Sequence, residues 1–231
     1  MKRLPQPALS LLLLLAAVLL ACGCTGSQKH SELPPPDEDG SPSTFDLGGD
    51  EPPSPRTLYA LSRVLLSQGR VVEARQVLTR IAAENPEYPA PYNELSELYV
   101  RDGRTDDAVQ VLTTALKACP GDPVLLNNLG MCWMVKKDYV QALRYFREAD
   151  EIDPRAKRYR ANMAVAMAMV GRYEEALETF GEVLIPADAH YNLAVICEAR
   201  GDDERAREEF QKARDLRPRD PPPPLATPSK A

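Results

Sequence analysis

Residues 89–122 read PAPYNELSELYVRDGRTDDAVQVLTTALKACPGD. Tyr92, Leu95 and Tyr99 recur at helical spacing, Gly103 breaks the run, and Ala108, Leu112 and Ala115 set a second helical stripe that Pro120 closes. The stretch therefore predicts two short amphipathic helices joined by a tight turn. A small residue facing a large apolar one lets the pair approach closely. The same pattern lies on both sides of it. The small residue returns as Ala74, Ala108, Ala142, Ala176 and Ala206, spaced 34, 34, 34 and then 30 residues apart. Five residues before each stands a turn position, Gly69, Gly103, Lys137, Gly171 and Gly201. Thirteen before it come Leu61, Leu95, Leu129, Met163 and Leu193, and four after it Leu78, Leu112, Phe146, Phe180 and Phe210. A lone pair of such helices leaves one apolar face open, and only stacking of the next pair covers it.

This pattern resembles the tetratricopeptide repeat (TPR). The resemblance implies an all-α, right-handed α-solenoid of about five helix-turn-helix repeats, at 55–88, 89–122, 123–156, 157–186 and 187–220, within a domain spanning 56–220. It also implies a groove lined by the first helices, into which positions 2, 5, 6, 9, 12 and 13 of each repeat look. Position 6 reads Asn128, Asn162 and Asn192 in three consecutive copies, preceded by Glu94 and Ala60, while Asn93 belongs with the polar and charged groove positions of repeats 1 and 2. An amide both donates and accepts, so a row of them can hold an extended backbone without reading its side chains. The alternative is that Asn is simply tolerated there. Groove positions of repeats 3 to 5 offer Met131, Met134 and Met169, adaptable apolar groups. Repeats 1 and 2 offer charge instead, including Arg63 and Arg101. Repeat 4 is four residues short, with Pro186 placed to open repeat 5.

The first 24 residues decide a different matter. Lys2 and Arg3 precede an apolar run from Leu9 to Ala21, and Cys22-Gly23-Cys24 follows. Such a run is shorter than the roughly 20 residues of a spanning helix, and reads as an export signal. Leu19-Leu20-Ala21-Cys22 resembles a bacterial lipobox, which implies a signal peptide over 1–21 and lipidation at Cys22, with Cys24 as the alternative residue. An ordinary secretory signal with incidental cysteines is the competing reading. No Asp follows Cys22, which by resemblance to Gram-negative sorting favours the outer membrane, facing the periplasm.

Between this anchor and the repeats, residues 22–55 carry seven acids against Lys29 alone, together with Pro34-Pro35-Pro36-Asp37-Glu38-Asp39-Gly40. This composition predicts a disordered, self-repelling tether spanning roughly 30 Å. Residues 221–231, opening on Pro221-Pro222-Pro223-Pro224, predict a second disordered segment. Loss of Lys2 and Arg3 with the signal takes the formal net charge from −6 to about −8, and no basic stripe suited to nucleic acid occurs.

Catalytic patterns are absent from the sequence. His30 falls in the tether, and His190 takes a packing position of repeat 5. No Cys or His pair has metal-ligand spacing and no Gly-rich phosphate loop occurs, so neither a metal nor a cofactor is expected. Cys132 and Cys197 are expected as buried thiols, and Glu174-Glu175 and Glu208-Glu209 as solvated faces. The expectation is a non-enzymatic outer-membrane scaffold that binds a partner protein or peptide in its groove. A short repeat followed by His190-Tyr191-Asn192-Leu193 is loosely similar to the TPR lipoproteins of tight-adherence (Tad/Flp) pilus assembly, which points to pilus or secretion-system assembly. A periplasmic holdase-like peptide binder and an accessory subunit of a cell-envelope enzyme are the alternatives.

Overall fold

The computed structural model describes residues 52–217. The signal peptide, Cys22, Cys24, almost all of the tether and the C-terminal segment lie outside the described residues. Ten helices and no strand are found among the described residues: α1 (Pro55–Ser67), α2 (Val71–Glu84), α3 (Ala90–Arg101), α4 (Thr105–Ala118), α5 (Pro123–Val135), α6 (Tyr139–Ile152), α7 (Lys157–Met169), α8 (Tyr173–Gly181), α9 (Pro186–Arg200) and α10 (Asp203–Leu216). None of them is long and apolar enough to cross a membrane. Each helix packs on the one before it and the one after it, which is the neighbour-to-neighbour contact of a solenoid.

The repeat pattern explains the packing. The key alanines Ala74, Ala108, Ala142 and Ala176 are fully buried, as are the large residues that follow them, Leu78, Leu112, Phe146 and Phe180. Gly130 on α5 completes this arrangement in repeat 3. A Cβ there would stand 2.6 Å from Phe146 Cε1, so only hydrogen fits between helix backbone and ring. The two ends depart for one reason, since among the described residues neither has a neighbour on its outer side. Leu61 in repeat 1 is 46% exposed, and Phe210 in repeat 5 is only half-buried.

Local chemistry sets the helix ends. Asp122 Oδ1 accepts from the Val124 and Leu125 N–H groups at 2.9 Å, and Pro123 opens α5 with its φ preset. Repeat 4 is short because α8 has nine residues. It is followed by Leu184 N–H donating to the Phe180 carbonyl at 2.8 Å, an extended Ile185, and Pro186 as the first residue of α9.

Four of the five hairpin turns use glycine with positive φ, whereas the turn between α5 and α6 places Lys137 at φ 63°. A side chain in that region costs roughly 1–2 kcal/mol, partly offset by the extra freedom glycine gives the unfolded chain. Lys137→Gly is therefore expected to stabilise the protein by roughly 0.5–1 kcal/mol, raising the thermal midpoint by about 1–4 °C. Calorimetry of the two chains checks this, and an unchanged or lower midpoint would show that the turn carries no strain.

Candidate functional site

The first helices of the repeats, α1, α3, α5, α7 and α9, stand side by side, and polar side chains stitch the first four together. Tyr59 Oη on α1 donates to Glu94 Oε1 on α3 at 3.1 Å. Asn128 Nδ2 on α5 donates to Asn93 Oδ1 on α3 at 2.8 Å, and Asn162 Nδ2 on α7 donates to Asn127 Oδ1 on α5 at 2.7 Å. Each link joins position 5 of one repeat to position 6 of the next, an offset of 35 residues. A further bond within α5, from Asn127 Nδ2 to Asn128 Oδ1 at 3.3 Å, makes one chain of amides: Asn162 to Asn127 to Asn128 to Asn93. With amide orientations assigned from this network, every bond points the same way.

This arrangement changes what the expected amide row can do. Asn162 and Asn192 are buried, so neither lies open on the wall. Asn93 and Asn128 remain half-exposed. Each amide has two donor hydrogens and two acceptor sites, and the chain uses only part of them. Asn93 Nδ2 and the second hydrogen of Asn128 Nδ2 are left to meet a partner's carbonyls. Asn127, which the sequence reading passed over, is the hub of the chain. Alignment of equal positions hides it, because the bonds run diagonally across the repeats.

The expected apolar row is also altered. Met134 is 1% and Met169 8% exposed, and both sit in the core with Phe146, Ala164, Val165 and Leu193 instead of lining an open groove. On α7, Ala161, Ala164, Ala166 and Ala168 are all buried, and this helix packs against α9. Met131 stays half-exposed, packed against the same core. On the charged half, Arg63, Glu97 and Arg101 are exposed. Although Glu97 reaches solvent, partial desolvation of its carboxyl beside the neighbouring helices and the nearby Glu94 carboxylate push it above its usual range, with Arg101 and Arg63 opposing.

One expected solvated face is not solvated. Glu209 is fully buried on α10, and its carboxylate accepts from His190 Nδ1 at 2.5 Å and Lys212 Nζ at 2.8 Å, with Arg205 Nε 3.2 Å away. Burial raises the energy of the charged form, but the bonds from Lys212 and His190 outweigh it and hold the carboxyl below its usual range. His190 on α9 thus joins Lys212 and Arg205 of α10 around the Glu209 carboxylate. The three cysteines among the described residues are free: Cys132 and Cys197 are buried and Cys119 is half-buried. Burial pushes the Cys132 thiol up to about 12. Among the described residues no group of three or more His, Cys, Asp or Glu could hold a metal ion.

The helical hairpins at a 34-residue period match the tetratricopeptide repeat model over residues 65–130 and 134–185, with a second model of the same repeat matching 187–220. The chain belongs to the tetratricopeptide repeat family. Solved structures with this fold include MamA from Desulfovibrio magneticus RS-1, with a TM-score of 0.57 and 22% identity over 70% of this chain and 94% of that one. YrrB, described as a TPR protein with an unusual peptide-binding site, has a TM-score of 0.55 and 23% identity over 70% of this chain and 86% of its own. At these identities the likeness is one of fold. A human relative, the intraflagellar transport protein 88 homolog, is 28% identical over 97 residues, and the match covers 38% of this chain and 12% of that protein. TPR proteins are protein-interaction scaffolds, and this chain has the repeat architecture of such a scaffold.

Proposed function

We propose that this TPR protein is a lipid-anchored scaffold of the bacterial envelope, tethered through Cys22 to the outer membrane and holding an extended segment of a periplasmic partner along its first helices. The observation that carries the reading is the amide chain. Asn93 and Asn128 are fixed by Asn127 and Asn162, so their remaining donors are aimed before a partner arrives and little side-chain entropy is lost on binding. Arg63 and Arg101 on one side of them offer charge for orientation. A peptide-binding site described for YrrB, which shares the fold, supports peptide binding as a use of this fold. The lipobox-like Leu19-Leu20-Ala21-Cys22 and the loose Tad/Flp likeness support assembly of a pilus or secretion machine as the setting. Burial of Met134 and Met169 weighs against the holdase alternative, because it removes most of the adaptable apolar row that such a binder needs.

Two measurements test the reading. Cys22→Ser should leave an unprocessed or soluble form while Cys24→Ser changes neither size nor membrane partition, and the reverse pattern would move the anchor to Cys24. After affinity capture of the partner from the native envelope, Asn93→Ala with Asn128→Ala should weaken binding by roughly tenfold or more, at about 1 kcal/mol per lost hydrogen bond. Unchanged affinity with helix content intact would remove the amide chain from the binding surface.

A further inference from the structure

Among the described residues the stack ends on an uncovered face. Leu78, Leu112, Phe146 and Phe180 are each covered by the next repeat, but Phe210 holds the same place in repeat 5 and stays half-buried. Tyr191 stands at position 5, the place from which Tyr59, Asn93 and Asn127 each reach the following repeat, and it is 42% exposed. The Tyr191 and Phe210 rings meet edge to face with centroids 5.6 Å apart. Together with Ala213, Arg207, Arg214 and Arg217 they line a cleft of about 340 Å³. The Arg217 guanidinium lies 5.7 Å from the centre of the Tyr191 ring, and Arg214 donates to Gln211 Oε1 at 2.7 Å. Among the described residues none of these three arginines pairs with a carboxylate. The sequence beyond, with prolines at 218 and 221–224, carries no further copy of the repeat.

We propose that this cleft is the docking site of the chain's own segment Pro34-Pro35-Pro36-Asp37-Glu38-Asp39. Proline runs favour a polyproline II form that loses little entropy on binding and lies against aromatic surfaces, as Tyr191 and Phe210 provide. The three acids that follow match the three guanidiniums, each pair a charge-assisted contact. Charge selects this occupant over the others the chain offers. The open face of repeat 1 in a second copy has exposed Leu61 and Val64, but α1 carries Arg56 and Arg63 and no acid, so it would set cation against cation. The prolines at 221–224 bring Arg219 and a single Asp220. Asp50-Glu51-Pro52-Pro53 adjoins α1, fixed at the opposite end of the stack. Reach is sufficient. Four repeat-to-repeat steps of about 10 Å make roughly 40 Å, and the stretch from Gly40 to Ser54 extends to about 50 Å. Docking draws this stretch along the body and shortens the distance at which the repeats work from residue 22.

A fluorescent peptide of residues 31–43 tests the assignment, titrated by anisotropy into the full chain bearing Asp37→Asn, Glu38→Gln and Asp39→Asn so that its own segment does not compete. Saturable binding is expected, with the dissociation constant raised at least tenfold by Arg207→Glu with Arg214→Glu, and likewise by about 0.5 M salt. Both arginines are exposed, so circular dichroism of the variant should be unchanged. The chain with its acids intact should bind the peptide at least tenfold more weakly than the neutralised one, at a concentration where sedimentation finds a monomer. No saturation, equal affinity in the arginine variant, or equal affinity in the intact chain would each overturn the proposal. Competition that grows with chain concentration would assign the segment to a neighbouring copy and overturn the intramolecular docking. None of these readouts depends on a partner or on lipidation, so the proposal and the scaffold reading fail separately.

Discussion

Phe146→Ala is expected to destabilise the protein by about 3–5 kcal/mol, the cost of removing a fully buried ring and leaving its cavity. The ring lies against Gly130 and in one core with Met134, Val165, Ala176 and Phe180, so it joins repeat 3 to both the α5 backbone and repeat 4. In a solenoid each repeat is held by its neighbours, and a weak central interface separates the array into halves. Urea unfolding should accordingly become broader, with a lower m-value, as the two sides cease to melt together. Phe210→Ala removes the same side chain from the equivalent place in repeat 5, where it is half-exposed. It should cost only about 1–2 kcal/mol and leave the transition sharp. Gly130→Ala alone should destabilise through overpacking by about 1–3 kcal/mol. Combined with Phe146→Ala it should cost less than the sum, because the added methyl enters the vacated space. Equal effects of the two phenylalanine substitutions would contradict the burial that separates them.

The repeat architecture was legible in the sequence because its cause is periodic. Ala142, Leu129 and Phe146 obey the same steric rule as their counterparts in every copy, and the rule needs no knowledge of what stands opposite. The wall was legible only in part. Asn128 could be placed beside Asn162 by position, yet the bond from Asn162 goes to Asn127, one position away in the repeat frame. That diagonal follows from the angle at which successive first helices cross, which the sequence does not state. Met134 and Met169 were misplaced for a similar reason. Both belong to the core shared with Phe146 and Leu193, and that membership depends on how neighbouring helices approach, not on position in the repeat. Phe210 and Tyr191 needed the end of the stack to be seen, since their residue types match interior copies and only the missing neighbour exposes them.

Glu209 shows what periodicity misreads outright, and it carries the second large effect. Glu209→Ala is expected to cost about 3 kcal/mol at pH 7, the low end for breaking a buried ion pair, because His190, Arg205 and Lys212 are partly exposed and can recover water. Glu209→Gln keeps the shape and one acceptor for Lys212, and should cost about half as much. The pH dependence separates charge from packing. The folded-state carboxyl is held below its usual range, so its stabilisation is complete above the unfolded value of about 4.3 and disappears as pH falls through the lower folded value. The stability gap between the parent and Glu209→Gln should therefore be full at pH 7 and close towards zero in acid, measured by urea unfolding at a series of pH values. A gap that stays constant down to pH 2 would mean that the carboxylate acts through shape alone, and that His190 and Lys212 contribute no net charge stabilisation to the junction of α9 and α10.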